Sequence, residues 1–163
     1  MKKSKKIIIL TNLVILLGYF AYSVFKKEKL LSEGQLVLLE LAPVDPRSLM
    51  QGDYMRLNYA ISREARHDSS VTKRGYCVLK VEDDGTAQHI RFQATDTPIY
   101  EGELLISYTS ENSWNFNIGA QSYFFQEGEA EKYESAKYGG LKVDTYGNSL
   151  LVGLYDENKN KIE

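Results

Sequence analysis

The residues best equipped for chemistry lie between Pro43 and Tyr59, in the stretch PVDPRSLMQGDYMRLNY. Two prolines and Gly52 fix the backbone of a turn that feeds an alternating strand. Asp53 opens that strand, where its carboxylate could pair with Arg47 or Arg56, or accept backbone N–H groups of its own turn. A Gly-Asp step at a turn-to-strand junction favours the turn role, and Asp45 before Pro46 reads the same way. Arg47 is the stronger binding candidate, because its planar fork of donors suits a carboxylate on a partner. Tyr54, Tyr59 and Glu127 complete the candidate binding set. The last of these is equally explained as an acid at a helix N-terminus.

No catalytic set is complete. Ser48 could be paired with Lys73, but a serine–lysine dyad needs a lysine desolvated by the fold, and Lys73 borders a polar loop. His67 and His89 are not at metal-ligand spacing, and no glycine-rich loop precedes a helix to cradle phosphate. Cys77, the single cysteine, sits in an alternating apolar row and reads as a core residue, which excludes an internal disulfide and any multi-thiolate site. The expectation is no metal, no cofactor and no catalytic residue. Tyr54, Tyr123 and Tyr133 are an alternative, an exposed aromatic recognition surface.

The elements that must position these residues follow from charge and periodicity. The 163 residues carry a net charge of −2, which divides unevenly. Residues 1–29 hold seven lysines against one glutamate, a balance of +6, and leave 13 basic against 21 acidic residues, a balance of −8, for residues 30–163. An acidic domain lacks the basic stripe that nucleic-acid binding requires. Residues 7–25, IIILTNLVILLGYFAYSVF, are uncharged and flanked by lysines on both sides. As a helix they reach about 28 Å, close to the hydrocarbon thickness of a bilayer. The expected organisation is an uncleaved membrane anchor over 1–29 and a folded domain over 30–163, single-pass in the cytoplasmic membrane with the domain outside. Cleavage after Ala21-Tyr22-Ser23 is the alternative, and the mass of the mature protein separates the two.

Residues 26–33 read as a short polar linker. Beyond it, residues 35–41 form a continuous apolar run expected to be a strand buried on both faces. Residues 53–62 alternate, with Asp53, Met55, Leu57, Tyr59 and Ile61 on the core face. Residues 63–70 read as an exposed loop. Asp84-Gly85 marks a hairpin between strands at 75–81 and 86–92, and further strands are expected at 104–108, 114–118, 122–126, 141–145 and 149–155. Acids at its start, Lys137 near its end and Gly139-Gly140 beyond it predict one helix over 128–138. The fold class is therefore mainly β: a transmembrane helix followed by an antiparallel β-barrel-like or curled-sheet domain with one helix.

The Gly52-Asp53-Tyr54-x-x-Leu57-x-Tyr59 motif resembles that of the GDYXXLXY family of bacterial membrane-anchored proteins. The upstream PVDPR at residues 43–47 is similar to the family pattern, as is the aromatic block at 119–128 that ends in Glu127-Gly128. So is the closing hairpin with Gly147, Leu151, Gly153, Leu154 and Asp156. Gln121 departs from the pattern, since that block commonly has an acid there. The likeness runs from about Leu36 to Asp156 and implies an anchored, exported domain of no established activity. A weaker likeness links residues 48–57 to type I signal peptidases, but aligning the Gly-Asp step puts Val44 where their nucleophilic serine stands, and valine cannot attack a carbonyl. The leading expectation is an extracytoplasmic interaction module, an accessory subunit of a cell-envelope membrane protein, with the bilayer and an integral membrane protein as partners. The alternatives are a degenerate signal-peptidase-like envelope hydrolase and a small-ligand or sugar-binding domain.

Overall fold

A computed structural model describes residues 3–42, 54–111, 116–126 and 128–163. Helix α1, Lys3–Glu33, contains the apolar segment and continues through residues 26–33. The expected linker is thus helical. Its lysines, leucines and glutamates are good helix formers, Lys29 and Glu33 pair one turn apart at 3.7 Å, and the Ser32 hydroxyl donates to the Glu28 carbonyl at 3.0 Å. The helix stops at Gly34, whose N–H donates to the Leu30 carbonyl. From Ser4 to Glu33 it is long and apolar enough to cross a membrane, with none of its most apolar stretch buried.

Strand β1, Gln35–Glu40, follows at once. It pairs antiparallel with β8, Tyr138–Val143, which pairs in turn with β9, Ser149–Tyr155. Strands β3, Arg74–Val81, β4, Ala87–Gln93, β5, Glu103–Ser110, and β6, Phe116–Asn117, form a four-stranded antiparallel sheet in the order β4-β3-β5-β6. Strand β2, Tyr54–Arg56, pairs with β7, Ser122–Phe124. Irregularities in register at Val78/Leu79 and Gly140/Leu141 add local bend and twist to these sheets. The result is the curled-sheet form of the expected fold, with no closed barrel among the described residues. One core joins the sheets, with Val37, Leu79, Ile106, Leu141, Val143 and Leu154 sealed from solvent. Cys77 is sealed there too, and burial, with the nearby Glu64 charge, pushes its thiol well up.

Three further elements differ from their expected form. The predicted helix over 128–138 is a single 3-10 turn, Ala130–Tyr133, after which Tyr138 already belongs to β8. Tertiary packing overrides local propensity here: Tyr133 is buried, its ring 5.1 Å from that of Tyr123 and 5.4 Å from that of Phe125, and Gly139-Gly140 serve a strand rather than a helix stop. The expected strand over 53–62 is a strand only at Tyr54–Arg56. Its inward face holds nevertheless, since Met55, Leu57, Tyr59 and Ile61 are all buried. At Ala60, whose N–H donates to the Glu40 carbonyl, the chain turns into a short helix α2, Ile61–Ala65, which takes the end of the expected strand and the start of the expected polar loop at 63–70. Trp114, expected on a strand, lies outside the described residues.

Candidate functional site

The described half of the motif, Tyr54 to Tyr59, is held on both sides by backbone. The Leu57 N–H donates to the Gln121 carbonyl at 2.8 Å, and the Asn58 carbonyl accepts from the Ala42 N–H at 2.7 Å. Tyr59 bridges to Leu41. Its side chain is 1% exposed, and its hydroxyl donates to the Ala120 carbonyl at 2.6 Å. Burial without a charge partner raises the hydroxyl well above its ordinary value of 10, so it stays neutral. A Cβ on Gly139 would stand 2.9 Å from both the Cε1 and the hydroxyl oxygen of Tyr59. A side chain at position 139 and the tyrosine ring therefore compete for one volume. Tyr59 thus joins Leu41, just beyond β1, with Ala120 and with β8, and Leu57 lies buried beside it.

Arg47, Gly52, Asp53 and Glu127 lie outside the described residues, as does Ser48. The backbone of Tyr54 pairs with Phe124. The expected exposed aromatic surface is corrected by Tyr133, which is buried; Tyr123 packs against it. Burial, followed by a hydrogen bond with Tyr133, pushes the Tyr123 hydroxyl up to about 12. Lys73 is exposed.

Beside β2 lies a cavity of about 210 Å³. Leu41, Met55 and Leu57 supply apolar lining, while exposed Arg56, Glu134 and Lys137 supply charge. Lys137 also approaches Glu40 at 3.7 Å. These groups can hold an apolar group next to an ionic one. They contain no nucleophile with an adjacent base, and no cluster of metal-ligating side chains occurs among the described residues. Sequence reasoning had Arg56 only as a partner for Asp53 and Lys137 only as a helix-end cation. What brings them together is the β2–β7 pairing and the 3-10 turn, which no local pattern marks.

The molecule is thus a curled antiparallel-sheet domain carried on one long apolar helix, with its signature tyrosine serving the core. The chain belongs to the family described as GDYXXLXY protein, whose model it matches over residues 16–154. No curated protein and no solved structure matches it.

Proposed function

We propose that the chain is a membrane-anchored interaction module, an accessory subunit of a cell-envelope membrane protein. Residues 7–25 span the cytoplasmic membrane and the domain lies outside it. One observation carries this reading: α1 passes from its apolar segment into β1 without a flexible joint. Gly34 is seated against β8, its carbonyl accepting from the Lys142 ammonium at 2.8 Å. A domain so held stays within a few nanometres of the bilayer, where weak contacts with neighbouring membrane proteins are amplified by high effective concentration. Arg56 and Lys137, exposed at the cavity, are the side chains offered to such a neighbour.

The test is photocrosslinking in intact membranes from reactive residues placed at positions 56 and 137, read by mass spectrometry. One dominant integral membrane protein captured at both positions is expected. Adducts spread over many unrelated proteins would reject the accessory-subunit reading. The cavity beside β2 favours a second reading, a small-ligand domain, in which the crosslinks would fall on a low-mass compound instead.

A further inference from the structure

The turn between β8 and β9 projects toward the helix. Gln35, the first residue of β1, is paired with Val143, the last of β8, so the chain after Val143 runs past the start of the sheet and alongside the end of α1. Lys26, Lys29, Val143 and Tyr146 line one cleft of about 530 Å³ between them. Lys26 follows directly on Phe25, the last residue of the uncharged segment. Tyr146 therefore shares a cleft with the basic flank that directly follows the apolar segment.

Tyr146 is 78% exposed, the highest value of any large hydrophobic side chain among the described residues. Its position is built, not loose. The Asp144 carboxylate accepts from the N–H groups of Tyr146 and Asn148 and from the Asn148 side-chain amide. Gly147, at φ +82°, gives its carbonyl to the Ser107 N–H at 2.8 Å, and a Cβ there would meet that nitrogen at 3.1 Å. The Asp144 charge is thus engaged within the turn, and Glu33, which also lines the cleft, pairs with Lys29 at 3.7 Å, so the cleft offers an exposed tyrosine beside the unpaired charge of Lys26. Amphipathic aromatics and lysines beside an apolar span are the groups that settle among phospholipid headgroups.

We infer that the β8–β9 turn is a second membrane contact, with Tyr146 inserted among the headgroups of anionic phospholipids and Lys26 engaging their phosphates. This rests on the reading of α1 as a membrane span. It adds that the domain lies against the bilayer on one fixed side. A lysine at an anionic surface favours such contact roughly fivefold.

The full chain, reconstituted into vesicles of phosphatidylcholine with or without phosphatidylglycerol, tests this by nitroxide labels on single added cysteines. Cys77 is sealed in the core and does not take up label. Labels replace Tyr146 (Y146C), Leu16 within the apolar segment (L16C) and Glu157 at the opposite end of the sheet (E157C), and collision with a water-soluble nickel chelate is measured. The expected result is strong shielding at 16, partial shielding at 146 and none at 157. Shielding at 146 should weaken without the anionic lipid and in K26Q. A label at 146 as accessible as that at 157, with 16 still shielded, overturns the inference and leaves the span intact. An accessible label at 16 removes the span and the inference with it. Equal shielding at 146 in both lipid mixtures overturns the anionic preference.

Discussion

The three-stranded sheet and the four-stranded sheet hold themselves together by different means. In the four-stranded sheet, neighbours in space are largely neighbours in sequence. Its core is aromatic, with Phe92 edge-on to Tyr108 and Phe116, and Tyr108 stacked on Phe116 at 4.8 Å. Its rim is ionic, with Arg91 forked onto both oxygens of Glu103 at 2.6 and 2.8 Å and lying over the Tyr100 ring. The three-stranded sheet instead pairs β1 with a strand about a hundred residues later, and beside it the buried Tyr59 ring fits the gap left by Gly139. Where pairing is local, many small interactions share the load. Where it is distant, a single tyrosine and a glycine set the fit, and the family signature falls there.

That difference sets the order of effects expected from substitution, measured as unfolding free energy of the full chain in detergent micelles. Tyr59→Ala empties a sealed site and should cost about 3–5 kcal/mol, the largest loss. A loss below that of a surface change would show that the motif tyrosine does not hold the distant pairing. Gly139→Ala forces a methyl group against the Tyr59 ring and should cost about 2–3 kcal/mol. In the Tyr59→Leu background most of that cost should disappear, because the two residues compete for one space. Strict additivity would break the coupling.

Tyr59→Phe keeps the packing but strands the buried Ala120 carbonyl, for an expected loss of about 1–2 kcal/mol. It also carries a pH signature. The folded hydroxyl titrates above its ordinary value of 10, so its contribution is complete below pH 10 and declines as pH rises beyond it. The wild type should therefore lose stability in alkali faster than the phenylalanine variant, and parallel curves would exclude the buried hydroxyl as the cause.

Glu103→Gln should have the smallest effect, because the pair lies near the surface and many other contacts remain. Its sign is opposite in pH. The Arg91 guanidinium holds the Glu103 carboxyl below its ordinary 4.5, so the contribution is present above that value and lost as pH falls through the lowered one. Denaturation midpoints of the two proteins should differ at neutral pH and converge in acid.

The same contrast explains what the sequence made legible. Asp84-Gly85 and Tyr146-Gly147-Asn148 marked the β3–β4 and β8–β9 hairpins because turn chemistry is local. Alternation placed Met55, Leu57 and Tyr59 inward even though the strand is shorter than expected, since burial depends on side-chain direction more than on ladder length. The β1–β8 and β2–β7 pairings had no local sign. They also bear on residues 128–138, where a helix-like charge pattern gave way to a single 3-10 turn packed through Tyr133, with the chain entering β8 at Tyr138. Of the candidate binding residues, Tyr59 proved to be packed in the core, while Arg47, Asp53 and Glu127 fall outside the described residues.

The unbroken helix has a mechanical consequence. A flexible joint would let a domain keep its attitude while its anchor tilts, but here Gly34 is pinned to β8 immediately after the helix ends. Under the proposed span, a bilayer thinner than the apolar segment would make the helix lean to relieve the mismatch. The sheet would then lean with it, so that the local thickness of the membrane becomes an angle of the domain's outer face.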